Sequence, residues 1–327
     1  MSTLSCAGVL EPALNFTDSR IPLDHASDPA PCQLVNGQAP SCSQKILLEP
    51  AIERFRREAA WGTFDTGRYR CGFSVWGEGP PLVFVPGLCD DPWSYLLPMA
   101  RLSEKFCCVA YHMPAGNGDG ARLVHYRHAH LVDDLLALLD HLKMQQTYLL
   151  GSSFGSTVAL AALHRQPERF PRAILQGGFA RRPLAWAEVM LAAWARWWPG
   201  SLDRLPLRRE LFRQNHEPFF AERDAAVMRY HLDSDGRQRI AAVAHRALLL
   251  HQLDLRPLLP AIRQPVLLLC GDRDPLVGQA CAEDLLAGLP NVSRAEIEGC
   301  GHLPQFTHPE VMSEVVHRFL LPATAQV

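Results

Sequence analysis

The sequence predicts an α/β protein: a mainly parallel, doubly wound sheet with helices on both faces and an inserted helical segment. Three observations carry that prediction. Short, largely apolar runs recur and end in turn residues: Leu82 to Val85 before Pro86-Gly87, Cys107 to Met113, Thr147 to Leu150, Arg172 to Gly178 and Pro265 to Asp272. Runs of this kind suit strands buried on both faces of a parallel sheet. Helical patterns such as AHLVDDLLALLDHLK lie between them, the alternation that βα units produce. The rhythm breaks once, over residues 181–263, where no buried-strand run occurs and Leu, Ala, Trp and Arg dominate.

The elements follow in order. Residues 1–44 are rich in Pro, Ser, Ala and Asp without sustained periodicity, so an extension that is poorly structured or wrapped over the surface is expected. From Lys45, KILLEPAIERFRREAAW places Ile52, Phe55 and Ala59 on one face of an amphipathic helix. Next, RYRCGFSVWGEGPPLVFVPG reads as one alternating strand, a Gly/Pro turn and a buried strand. The predicted organisation is a core in two parts, 45–180 and 264–327, interrupted by a helical cap at 181–263.

Composition bounds the function. The chain has 327 residues, 48% of them hydrophobic, and a formal net charge of −2 with both signs scattered. That length supports a sizeable core, and nothing marks a nucleic-acid surface. Ten cysteines occur without a C-x-x-C pair, so neither a metal nor another cofactor is expected. The stretch MSTLSCAGVLEPALNF lacks a basic leader and an adequate apolar region, and no later run reaches about 18 apolar residues. A cytoplasmic location is the expectation; Cys6, Cys32 and Cys42 would pair only in an oxidising compartment.

In an open α/β sheet, reactive groups collect beyond the carboxyl ends of the strands. LLGSSFGSTVAL brackets Ser153 with Gly151 and Gly155 at a strand-to-helix seam. Glycines at that spacing permit a sharp turn that lifts one side chain away from the backbone, making Ser153 a candidate nucleophile; a Gly/Ser-rich turn without chemistry is the plain alternative. Ser152 is the rival hydroxyl. The amide of Phe154, at the start of the following helix, faces the same point and suits an oxyanion. Gly87 in FVPGLCDDPWSY lets the backbone approach closely, so the amide of Leu88 is the second candidate donor. In GDRDPLV, Asp272 reads as a cap or turn residue and Asp274 as the carboxylate that orients a histidine. His302, after the Gly-Cys-Gly turn of EIEGCGHLPQFTHPE, is expected mobile and exposed at the sheet edge. It follows Asp274 by 28 residues and Ser153 by about 150, giving the order nucleophile, acid, base.

Together these motifs resemble the α/β-hydrolase family, over roughly Gly62 to the end apart from the cap's details. The resemblance implies an Asp274–His302–Ser153 relay in which His302 takes the Ser153 proton and Asp274 fixes the imidazole tautomer. It also implies a lid formed by the inserted helices. Pro86-Gly87 stands where many members carry His-Gly, His112-Met113-Pro114-Ala115-Gly116-Asn117-Gly118 where the fourth strand usually leads into Asp-x-Pro-Gly-x-Gly, and Ser156 where the elbow usually ends in glycine. None removes a catalytic group. A serine nucleophile argues against dehalogenase and epoxide-hydrolase chemistry. The expected activity is hydrolysis of a carboxylic ester or thioester. A C–C hydrolase, an aminopeptidase, an acyltransferase and a ligand sensor with little turnover stay open.

Trp186, Met190 and Trp194 of the cap, with Trp93 of the FVPGLCDDPWSY loop, are candidates for an apolar acyl pocket, although such stripes commonly just pack helices together. Arg204, Arg208, Arg209 and Arg213 raise the possibility of an acidic carrier protein as partner, with solvated surface charge the simpler reading. A small acyl substrate is expected; nucleic-acid binding is not, and membrane contact by the tryptophan-rich helix is the lesser reading.

Overall fold

The computed structural model describes residues 45–116, 118–205, 208–221 and 223–321. The expected extension over 1–44, with Cys6, Cys32 and Cys42, lies outside the described residues. The chain opens with α1 (Leu48–Glu58), which buries Leu48, Ala51 and Phe55, and a hairpin of β1 (Ala60–Asp65) and β2 (Arg70–Trp76). Then come β3 (Pro81–Val85), α2 (Leu96–Leu102), β4 (Cys107–Tyr111), α3 (His128–His141), β5 (Tyr148–Ser152), α4 (Phe154–Arg165) and β6 (Ala173–Gln176). Four helices intervene: α5 (Trp186–Ala195), α6 (Arg208–His216), α7 (Ala225–Gly236) and α8 (Ile240–Gln252). The chain closes with β7 (Val266–Gly271), α9 (Gln279–Gly288), β8 (Val292–Ile297), α10 (Pro304–Thr307) and α11 (Pro309–Leu320).

The strands form one sheet in the order β1-β2-β4-β3-β5-β6-β7-β8. From β4 to β8 every pairing is parallel, and β1 and β2 add an antiparallel edge. All residues of β3, β4, β5 and β6 are buried, which is why these runs lack polar alternation. Successive side chains point to opposite faces. Val83 and Val85 join a core with Leu149 and the α3 and α4 residues Leu135, Leu138 and Val158, whereas Leu82 and Phe84 join one with Leu150, Phe55 of α1 and Met312 of α11.

One element departs from the sequence reading. AAW continues the predicted first helix, yet Ala60 and Trp61 start β1. This edge strand has no fully buried side chain and takes its hydrogen bonds from β2, pairing Ala60 with Val75 through Asp65 with Arg70.

Candidate active site

The turn after β5 is made by one residue. β5 ends at Ser152 and α4 begins at Phe154, leaving Ser153 between them at φ 50° and ψ −115°. A non-glycine residue in that region is strained and persists only where its surroundings hold it. The Ser153 amide donates to the Gln176 carbonyl at 2.8 Å, and its carbonyl accepts from Ser156 N at 2.9 Å. The flanking glycines are required by close backbone approach. A β-carbon at Gly155 would lie 2.1 Å from the Val85 carbonyl oxygen, and one at Gly151 2.8 Å from that of Gly155. The rival Ser152 is 2% exposed and its hydroxyl donates to Gln176 Oε1 at 2.5 Å, whereas Ser153 is half-buried.

Asp274 follows β7 and is fixed through both oxygens. Oδ1 accepts from the amides of Leu276 (2.8 Å) and Val277 (2.9 Å), and Oδ2 lies 2.6 Å from His302 Nδ1. Burial pushes the Asp274 carboxyl up, but the hydrogen bond and charge of His302 and the two amides outweigh it and hold it below its ordinary value. An ionised Asp274 accepts only, so Nδ1 of His302 carries the proton and Nε2 is left as the base. Asp272, expected to be a cap or turn residue, instead links two loops, its Oδ1 accepting from Cys300 N at 3.0 Å.

His302 differs from its expected setting. It is 6% exposed, and its loop is held by two residues far away in sequence. Gln176 Nε2 donates to its carbonyl at 3.0 Å, and Phe219, between α6 and α7, rests on the preceding turn so closely that a β-carbon at Gly301 would come within 2.6 Å of its ring. Gln176 therefore ties the strand carrying the elbow to the loop carrying His302. His302 and Asp274 meet beside Gly177, where a β-carbon would lie 2.8 Å from His302 Cε1 and 3.5 Å from Asp274 Oδ2. Gly177 directly follows the carbonyl that holds the Ser153 amide.

Phe154 is the first residue of α4, so its amide is among the helix N–H groups that have no intrahelical acceptor. Leu88 follows Gly87 on a loop secured from two sides. From the core, Asp90 Oδ2 accepts from Gly87 N (2.9 Å) and the Tyr95 hydroxyl (2.8 Å). From the inserted helices, the Arg246 guanidinium of α8 donates to the carbonyls of Leu88 and, at 3.2 Å, Pro114. In α7, the Tyr230 hydroxyl donates to the Trp93 carbonyl (2.9 Å) and the Ser234 hydroxyl to Asp91 Oδ1 (3.3 Å). Arg246 is 3% exposed, and burial lowers its pKa. His216, at the end of α6, also approaches the site. Burial, and secondarily the charge of His302, takes it down to about 4, so it is neutral at neutral pH, and its Nδ1 is buried without a hydrogen-bond partner.

The expected pocket residues do not meet. Trp93 stacks on Trp61 with ring centroids 5.5 Å apart and meets Phe55 edge-on at 5.0 Å, so its indole fastens the α1–β1 corner. Trp186, Met190 and Trp194 of α5 are 79%, 53% and 57% exposed, so these side chains stand largely in solvent. A cavity of about 600 Å³ opens between α6 and α7, lined by Arg208, Arg209, Arg237 and acidic residues, away from Ser153. A smaller one of about 100 Å³ lies beside Asp274, Gly177 and Gly178. Arg208 donates to the Leu232 carbonyl and Arg213 pairs with Glu210 and Glu217. Gln176 and Arg246 were not foreseen. Their signals were slight: a polar side chain ending the apolar run Ala173–Leu175, and one arginine among AAVAHRALLL.

Comparison with known proteins agrees with this architecture. The chain is 24% identical over 256 residues to the uncharacterized hydrolase YugF of Bacillus subtilis, covering 73% of this chain and 89% of that protein. It is 27% identical over 259 residues to a pimeloyl-[acyl-carrier protein] methyl ester esterase of Aeromonas hydrophila, covering 75% and 96%. The crystal structure of a hydrolase from Pseudomonas aeruginosa superposes with a TM-score of 0.71 at 20% identity, over 80% of this chain and 98% of that one. The sequence profile of the alpha/beta hydrolase family matches residues 82–315, a span that runs from within β3 to the middle of α11, and the chain belongs to that family.

Proposed function

We propose that Ser153, His302 and Asp274 form a catalytic triad that hydrolyses a carboxylic ester or thioester through an acyl-serine intermediate. The observation that carries this reading is Ser153 held at φ 50° on the β5–α4 turn with its amide on the Gln176 carbonyl, next to the Gly177 against which a His302–Asp274 pair bonded at 2.6 Å stands. His302 Nε2 takes the hydroxyl proton as Ser153 Oγ attacks the acyl carbon. The resulting oxyanion accepts hydrogen bonds from the amides of Leu88 and Phe154. Collapse expels the alcohol or thiol, which leaves with the proton from His302. A water, deprotonated by the same nitrogen, then releases the acid and restores the serine. A methyl ester esterase and an enol-lactonase among the relatives support an ester substrate.

Intact-protein mass after exposure to a fluorophosphonate, for the wild type and Ser153→Ala, tests the reading. One stoichiometric adduct on the wild type and none on the variant is expected, together with turnover of short-chain esters or thioesters. An adduct that persists in Ser153→Ala, or a folded wild type that neither labels nor turns over, would refute it.

A further inference from the structure

The six residues Trp186, Met190, Leu191, Trp194, Trp197 and Trp198 are between 43% and 79% exposed. Residues 186, 190, 194 and 198 recur every four positions, so they share one side of α5 and its C-terminal extension, with 191 and 197 beside them. The opposite side holds the buried Ala192 and packs on α8. A helix apolar on both sides is normally covered on both. Here one side faces solvent and carries four tryptophans, the residue type enriched where an apolar medium meets polar headgroups.

Charge identifies the occupant. Between residues 181 and 209 there are six arginines against two acids, Glu188 and Asp203. Glu188 is engaged by the Ala185 amide at 2.7 Å, and Asp203 by the Ser201 hydroxyl. Arg181 lies 3.7 Å from Asp254, which Arg256 also holds, but Arg196 and Arg204 are exposed, Arg204 against Gly200 just past the stripe. The Arg196 guanidinium sits 4.9 Å over the Trp197 ring, placing a cation at the rim of the apolar stripe. A second copy of this positive face would repel the first, whereas an anionic lipid surface matches both the aromatic stripe and its arginine rim. Among the described residues no helix is long and apolar enough to cross a membrane, so the contact is one in which α5 lies along the surface.

We propose that the exposed face of α5 docks on an anionic phospholipid surface. The reading is independent of the catalytic one. The test is co-sedimentation of the full chain with vesicles of phosphatidylcholine containing phosphatidylglycerol, and with pure phosphatidylcholine, for the wild type and a Trp186→Ser/Trp194→Ser/Trp197→Ser variant. These side chains stand in solvent, so the variant should fold and keep its activity on a soluble ester. The wild type is expected to bind anionic vesicles in a salt-sensitive manner, with partitioning reduced about ten-fold or more in the variant and on the neutral vesicles. A wild type that stays in the supernatant, or a variant that sediments equally, would overturn the proposal. So would a wild-type dimer that the triple substitution converts to monomer, since the face would then be occupied by a second copy.

Discussion

Replacing Gln176 by leucine removes the amide that joins the elbow strand to the His302 loop, at nearly constant volume. Gln176 is 1% exposed, with the Ser152 hydroxyl 2.5 Å from Oε1 and the His302 carbonyl 3.0 Å from Nε2. Leucine would strand both partners, each in a buried setting. A buried polar group left without a partner costs about 1–3 kcal/mol, so about 2–6 kcal/mol is expected from the pair. That is a large share of the ~5–15 kcal/mol that holds a typical protein folded. Adding Ser152→Ala removes one stranded group, and the double variant should recover about 1 kcal/mol relative to additivity. In kinetics, a His302 backbone released from its anchor should lower kcat about ten- to hundred-fold, which is ~1.4–2.7 kcal/mol of barrier, with KM little changed. Urea unfolding of the two single variants and the double one, with initial rates on a short-chain ester, measures all of these. An unchanged urea midpoint and kcat in Gln176→Leu, or a loss confined to KM, would refute the role assigned to this side chain.

Further tests follow from the same geometry. Gly155→Ala would drive a β-carbon to 2.1 Å from the Val85 carbonyl, against backbone that has nowhere to move; a loss of about 1–3 kcal/mol by overpacking is expected in thermal unfolding. Asp274→Asn keeps an oxygen for the amides of Leu276 and Val277 but turns the imidazole to the wrong tautomer, and kcat should fall about 10³- to 10⁴-fold, with a lower melting temperature at neutral pH because the stabilisation carried by the depressed carboxyl pKa is lost. Arg246→Lys cannot span the carbonyls of Leu88 and Pro114 together, so kcat should fall about ten-fold with the fluorophosphonate adduct still forming, more slowly. Glu310 accepts from Arg223 and from Ile46 N; burial raises its pKa, but these partners outweigh burial and depress it below 4.5. Its stabilisation is therefore present above about pH 4.5 and lost as pH falls through the depressed folded value. Glu310→Gln should destabilise the protein at neutral pH and make unfolding less steep in acid.

The central strands were legible because burial on both faces leaves nothing polar in runs such as PLVFV and YLL. Ser153 was legible because glycines that cannot carry a β-carbon must flank it. β1 was not, since an edge strand takes its order from its partner β2 and not from a pattern of its own. The burial of His302 was not either: Phe219 and Gln176, which meet its loop, lie 83 and 126 positions away in sequence. Helical spacing showed that Trp186, Met190 and Trp194 share a face but carried no information on what the face meets. For Trp93, the decisive neighbours Trp61 and Phe55 arrive through the sheet edge, which no local pattern reports.

The loop bearing Leu88 receives Asp90 and Tyr95 from the core, Arg246 from α8, and lies against residues gripped by Tyr230 and Ser234 of α7. The inserted helices α7 and α8 are thus part of the frame that holds this loop. Helices grafted from a relative in place of α7 and α8 would arrive without these particular donors and would leave the loop short of them, so this segment is not a module to be exchanged by itself. Redesign has to carry Arg246, Tyr230 and Ser234 along, or rebuild the loop together with whatever replaces them.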